Sequence, residues 1–198
     1  MRYTGPKWRI NRRENSQVLG SNDKWKRRPT LPGQFPTLKK RPSEYARQFR
    51  EKQKVKRMYG MSERQFKKFY KMALKTEGNT GTRLLQLLEL RLDNVVYKLG
   101  FATTRAQARQ FVTHGHVLLN GKKHNIPSTI LKAGDEIELK DSIFETPLMK
   151  EILSYNKAYK VPTWLKALSK GGSVIAEPTR DEIDATIKER LIIELYSR

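Results

Sequence analysis

The side chains best placed for chemistry are two arginines one helical turn apart, Arg105 and Arg109, and two lysines, Lys122 and Lys123, just beyond an Asn120-Gly121 pair. Guanidinium and ammonium groups grouped this closely hold anions, above all backbone phosphates, where each neutralised charge releases a counterion. No catalytic constellation accompanies them. His114, His116 and His124 lie close in sequence, but no carboxylate stands at metal-ligand spacing from them, and the absence of cysteine rules out a thiolate zinc site. Gly115 to Lys122 resembles a phosphate loop only superficially. Five residues separate its glycines, and no Ser or Thr follows the lysine. Asp93 reads as a helix N-terminal carboxylate rather than an acid catalyst. The reading is therefore a binding protein and not an enzyme, with no cofactor and no metal.

Positioning these cations falls to two helices and a hairpin. Leu92, Val95, Val96 and Leu99 form the apolar side of a first helix that stops at Gly100. A second helix starts at Thr104, with Gln107 three residues on as a reciprocal cap, and stops at Gly115. At 100° per residue Ala108, Phe111 and Val112 share its buried face, flanked by Arg105 and Arg109. His116 to Leu119 then forms a strand, Asn120-Gly121 a two-residue turn that favours positive φ, and Lys122 to His124 the returning strand. Ala133-Gly134-Asp135 is a further turn, and the alternating Ile137 and Leu139 close the sheet.

Charge sets the class of partner. The 198 residues carry 41 basic and 20 acidic side chains, net +21, and the first 75 residues hold 23 and 5 of these, net +18. So basic a half repels itself unless a polyanion neutralises it. A membrane is the poorer candidate: no run of about 18 apolar residues exists to span one, and the apolar faces are narrow core stripes. No signal-peptide pattern is present.

Taken in order, residues 1–42 mix cations with Gly5, Gly20, Gly33 and five prolines, without a sustained period, and read as an extended arm. Its Tyr3, Trp8, Trp25 and Phe35 can stack on unpaired bases. Ser43 to Tyr59 reads as a helix with Tyr45, Phe49, Val55 and Tyr59 on one arc and Arg47, Arg50, Lys54 and Arg57 on another. Ordinary wet faces mix signs, so an unmixed stripe points to phosphate tracking. Gly60 ends this helix, and Ser62 with Gln65 caps the next, which has Phe66, Phe69, Tyr70, Ala73 and Leu74 as its apolar set. Arg64, Lys68, Lys71 and Lys75 make a second basic stripe on it. After a Gly78–Gly81 loop, Thr82–Leu90 is strongly apolar and runs towards the next domain. Beyond Leu139 the expectations are a helix over Thr146–Tyr155, a packing segment from Pro162 and Trp164, a flexible break at Gly171-Gly172, a short helix from Thr179 and Glu182 to about Lys188, and a strand over Leu191–Tyr196.

The stretch from Arg91 to Leu139 resembles the RNA-binding domain named after ribosomal protein S-four. The resemblance extends to RRENS at Arg12–Ser16, REKQKVKRMYGMSERQFKKFYKMA, the loop GNTG, LLQLLELRLDNVVYKLGF and the ending LIIELYSR, all similar to the bacterial-type S-four family in its zinc-free form. The implied architecture is α+β: a basic arm (1–42), a small all-α helical domain (43–90), an S-four RNA-binding domain of a helix pair plus a small antiparallel sheet (91–140), and a C-terminal segment (141–198) packing back on the fold. The implied function is that of a structural constituent of the small ribosomal subunit. Such a protein binds the 5′ domain of its ribosomal RNA, nucleates assembly and sits by the messenger RNA entrance, beside neighbouring proteins such as protein five. The resemblance places Lys39, Lys40 and Arg41 near that entrance. Expected RNA contacts are Arg91, Arg105, Arg109, His116, Asn120, Lys122 and Lys123 in the domain, and Arg47, Arg50, Lys54, Arg57, Arg64 and Lys68 on the helices. The same domain is attached to some RNA-modifying enzymes and to a tyrosyl-tRNA synthetase, but the remaining residues leave no room for a catalytic domain. A stand-alone RNA chaperone would explain the domain and not the match at both ends. Bacterial cytoplasm and an organelle of bacterial descent both fit.

Overall fold

The computed structural model describes residues 3–20, 24–27, 30–33, 42–156 and 158–197, with backbone only at 24 and 25. The chain divides into two compact units, residues 1–83 with 185–198, and residues 84–184.

The first unit begins with helix α1 (Lys7–Glu14), where an extended arm was expected, and continues through a 3-10 turn at Lys24–Arg27. Its strongly polar sequence hides the helix from periodicity analysis; Ile10 is its one buried apolar side chain. What fastens it is Asn11. Its Oδ1 accepts from the backbone N–H groups of Val18 and Leu19 (3.2 and 2.9 Å), and its Nδ2 donates to the Leu19 carbonyl (2.8 Å). Helices α2 (Glu44–Met58) and α3 (Glu63–Leu74) follow as expected, with Ser43 and Ser62 as N-caps. Val55 and Met58 of α2, Tyr59 just after it, and Phe66, Phe69, Tyr70 and Ala73 of α3 are buried. Tyr45 and Leu74, assigned to buried arcs from the sequence, are 55% and 53% exposed; each lies at an end of its helix, beyond the packed turns. Helix α4 (Thr80–Glu89) starts at Asn79, whose side chain accepts from the Gly81 and Thr82 N–H groups.

In the second unit α5 (Leu92–Lys98) and α6 (Arg105–Thr113) form the expected helix pair, and Gly100 and Gly115 end them at φ +85° and +73°. The α6 cap is reciprocal with a shift of one residue. Thr104 accepts from the Gln107 N–H, while the Gln107 side chain accepts from Thr103. Strands β1 (Val117–Leu119) and β2 (Lys122–His124) form the hairpin, with Asn120 and Gly121 at φ +50° and +75°. They join β3 (Glu136–Leu139) and two further strands, which follow helices α7 (Asp141–Phe144) and α8 (Pro147–Tyr155). These are β4 (Leu165–Leu168) and β5 (Gly171–Val174), giving the antiparallel order β2-β1-β3-β5-β4. The expected break at Gly171-Gly172 is thus an inner strand. A Cβ on Gly171 would run into the Ile137 carbonyl, and one on Gly172 would lie 2.5 Å from Leu99 Cδ2. The glycines permit close approach rather than flexibility. Val95, Val96, Phe111, Val112, Val117, Ile137, Met149, Trp164 and Val174 are among the residues of the core beneath this sheet.

The second unit ends at Asp184, and the chain re-enters the first unit at Ala185. The turn at Thr179 and Glu182 has the reciprocal cap but continues only through a 3-10 turn, Arg180–Glu182. Leu191–Tyr196, read as a strand, lies in helix α9 (Glu189–Tyr196), since a short apolar run has no period that separates the two states. Helix α9 packs along α2. Burial of Ile187 and Ile192 stabilises this docking by about 1.5–3 kcal/mol each, and the Tyr196 ring stacks on Tyr70 with centroids 4.5 Å apart. Residues 141–184 and 185–198 therefore belong to different units, where one C-terminal segment was expected.

Candidate nucleic-acid interface

The loop after β2 crosses the start of α5: Leu92 N–H donates to Thr129 O and Asp93 N–H to Pro127 O. Beneath it Arg91 is fully buried, and its guanidinium grips Asp93 through Nε–Oδ1 at 3.0 Å and Nη2–Oδ2 at 2.7 Å. Arg91, expected as an RNA contact, instead lies inside and orients Asp93. Asp93 in turn stands 3.6 Å from the Arg109 guanidinium, which is 21% exposed. Burial pulls the pKa of Arg109 below its ordinary value, Asp93 pushes it back up, and Arg91 lowers it again. Arg105 is positioned by a second chain of contacts. Asn94 Nδ2 donates to the Glu89 carbonyl and carboxylate, and its Oδ1 accepts from Arg105 Nε at 2.7 Å. The Arg105 guanidinium lies over the Tyr97 ring, 4.8 Å from its centroid. Both arginines thus sit at the rim of the α5–α6 pair, preset by Asp93 and Asn94. Asn94, Glu89 and Tyr97 escaped the sequence reading, because no local spacing links them to Arg105.

At the hairpin, Lys122 and Lys123 are exposed. Asn120 is a fold residue rather than a free RNA-reading amide. Its Nδ2 donates to Asp135 and its Oδ1 accepts from the Glu136 N–H, locking the turn to β3. His124 Nε2 lies 2.6 Å from the Thr129 hydroxyl, which donates to Ile126 O; the imidazole is therefore the donor. His116 is half-buried beside His114. Burial and the nearby positive charges of His114, Lys140 and Lys123 push its pKa below the ordinary 6.5.

The two basic helices differ sharply. On α2, Arg50 and Arg57 both bind the buried Glu14 carboxylate of α1, Arg50 at 3.2 Å. Lys54 is 8% exposed, and its Nζ donates to the Thr186 carbonyl at 2.5 Å. Only Arg47 of that expected stripe is well exposed, and it pairs with Glu44 at 2.5 Å. The α2 stripe therefore serves the fold: Arg50, Lys54 and Arg57 hold α1 and the C-terminal return in place. On α3, Arg64, Lys67, Lys68, Lys71 and Lys75 are all exposed, and among the described residues none of them has an ionic partner. Lys67 adds to the stripe read from sequence. Lys39, Lys40, Arg41 and Phe35 lie outside the described residues, and Trp8 is half-buried rather than displayed.

Among the described residues no His, Asp or Glu cluster suited to a metal ion occurs, and no helix is long and apolar enough to cross a membrane. A helix pair, a lysine-tipped hairpin and a one-signed helical face define an α+β protein with the makings of an RNA binder. Comparison with known proteins gives the particular family. Residues 2–89 match the ribosomal protein S4/S9 N-terminal domain, and residues 90–137 match the S4 domain. The small ribosomal subunit protein uS4 of Opitutus terrae is 50% identical over 200 residues, covering 100% of this chain and 98% of the relative. That of Halothermothrix orenii is 47% identical over 206 residues, covering 100% and 99%. The chain belongs to the bacterial-type S-four ribosomal protein family, a structural and non-enzymatic one.

Proposed function

We propose that this protein is a structural constituent of the small ribosomal subunit and a primary binder of its ribosomal RNA. It docks at a helix junction of the 5′ domain, nucleates subunit assembly and contributes to translational accuracy beside the messenger RNA entrance. The observation that carries this reading is the α3 face, five exposed cations without a counter-charge among the described residues. Such a face costs self-repulsion in the free protein, which phosphates relieve. Arg105, Arg109, Lys122 and Lys123 supply a second set of contacts. Both sets read backbone and shape more than base identity, as suits double-stranded RNA. Neighbouring small-subunit proteins, protein five among them, and messenger RNA are the further partners. The setting is the ribosome of a bacterial cytoplasm or of an organelle of bacterial descent.

The test is competition binding at near-physiological salt. Protein is mixed with a bacterial-type 5′-domain transcript in the presence of excess unrelated structured RNA. Retained transcript binding is the expected result; complete displacement by the competitor would reduce the interaction to the net charge of +21.

A further inference from the structure

We propose that His114, His116, Lys123 and Lys140 form a seat for one RNA backbone phosphate, and that the His116 imidazole takes up a proton from solvent as the phosphate docks. This rests on the RNA reading above and adds a pH-linked site to it.

The seat is built by the turn out of α6 and the outer face of the sheet. His116 is held from both sides, its N–H donating to Phe111 O at 3.1 Å and its carbonyl accepting from Lys140 N–H at 2.9 Å. Its ring meets Phe111 edge-on with centroids 6.4 Å apart, and the His114 ring stands 6.2 Å away. Lys123 reaches in from β2 with its stem across Gly115, where a Cβ would lie 2.5 Å from Lys123 Cε. Gly115 thus permits the lysine to lie flat beside the histidines. Lys140 continues β3 opposite His116.

The groups whose charge acts on His116 are bases, His114, Lys140 and Lys123, and each disfavours the imidazolium form. Of the carboxylates on β3 and just after it, Glu138 stands opposite Leu118 on the same sheet face, and Asp141 is taken by Lys170 at 2.5 Å. Burial first and like charge second therefore hold the pKa of the free imidazole below its ordinary value. A phosphate among these groups reverses the field and favours imidazolium. No covalent bond to phosphorus changes. His116 then has a higher pKa in the complex than in the free protein, so affinity rises as pH falls through the bound value and levels off below the free one.

The experiment measures the dissociation constant for the 5′-domain transcript at constant salt, at about pH 8 and about pH 5.5, bracketing the ordinary imidazole value. Wild type should bind several-fold tighter at the lower pH; a pKa difference of one unit gives about tenfold. His116→Gln, whatever its affinity at the higher pH, should bind no tighter at the lower pH, while His124→Gln keeps the acid gain. In parallel, the ring protons of His116 are titrated by NMR, free and bound, and should show a raised midpoint in the complex. An acid gain of equal size in His116→Gln, or an unmoved His116 midpoint, would overturn the seat. Failure of wild type to hold the transcript against competitor at the higher pH would overturn the RNA reading, and the seat with it.

Discussion

Helices α2 and α3 look alike in sequence, each with a row of cations on one side, yet they present opposite surfaces. Cations of α2 are matched from afar: Glu14 lies 36 residues before Arg50, and the Thr186 carbonyl lies 132 residues after Lys54. Those of α3 are matched by nothing in the described residues. A basic stripe is therefore not evidence of an RNA surface until the acceptors supplied by the rest of the chain have been counted. The same distinction separates Arg91, buried against Asp93, from the rim arginines Arg105 and Arg109.

The largest effect expected from this division is at Arg91. Arg91→Met leaves Asp93 buried without its bidentate partner, with Arg109 at 3.6 Å, and should lower unfolding free energy by about 3–5 kcal/mol in denaturant titrations. A loss under about 1 kcal/mol would show that the pair contributes little to the fold. Next is Glu14→Ala, which removes the shared acceptor of Arg50 and Arg57. It should cost about 1–3 kcal/mol and make residues 7–14 more readily cut by protease. Unchanged proteolysis would mean that α1 is held without the carboxylate.

RNA binding sharpens the contrast. Replacing Lys67, Lys68 and Lys71 by Gln should reduce the slope of log K against log salt by roughly 0.7–0.9 per lost phosphate contact, with stability within about 0.5 kcal/mol per site. Replacing Arg50 and Arg57 should do the reverse, lowering stability at an unchanged slope. Equal slopes for the two sets would dissolve the comparison.

The smallest effect is in acid. At Glu63 burial pushes the pKa up, but hydrogen bonds from Lys52, Lys56 and Tyr196 outweigh it and hold the carboxyl at about 2. Its contribution to stability is present above 4.5, the unfolded value, and is lost as pH falls towards about 2. At Glu14 burial outweighs Arg50, Arg57 and Arg13, so its pKa is raised and its contribution declines as pH climbs above 4.5. Glu63→Gln should flatten the acid limb of the stability profile, and Glu14→Gln should steepen it. Identical profiles would contradict the opposed environments.

The sequence made legible whatever is encoded locally. Ser43, Ser62 and Thr146 mark helix starts, Gly100 and Gly115 mark helix ends, and Asn120-Gly121 marks the hairpin. Elements fixed by distant partners stayed hidden. Helix α1 buries one apolar residue and depends on Asn11 and Glu14; β5 owes its glycines to Ile137 and Leu99; α9 takes its helical state while packing on α2. The site divides in the same way. Exposed Arg64, Lys68, Lys122 and Lys123 stand where their spacing puts them, while burial of Arg91 and Lys54 and the locking of Asn120 depend on residues no local window includes.

The return of the chain to its first unit sets an order of events during synthesis. Residues 84–184 are continuous and can close their core as soon as β5 has been made. The unit begun earlier waits longer, because Lys54 gains its Thr186 acceptor, and Tyr70 its Tyr196 stacking partner, only when the last helix emerges. The middle of the chain is thus able to mature before its beginning. A nascent protein paused before residue 185 would hold a finished sheet unit while α2 still lacked α9, the helix that packs along it.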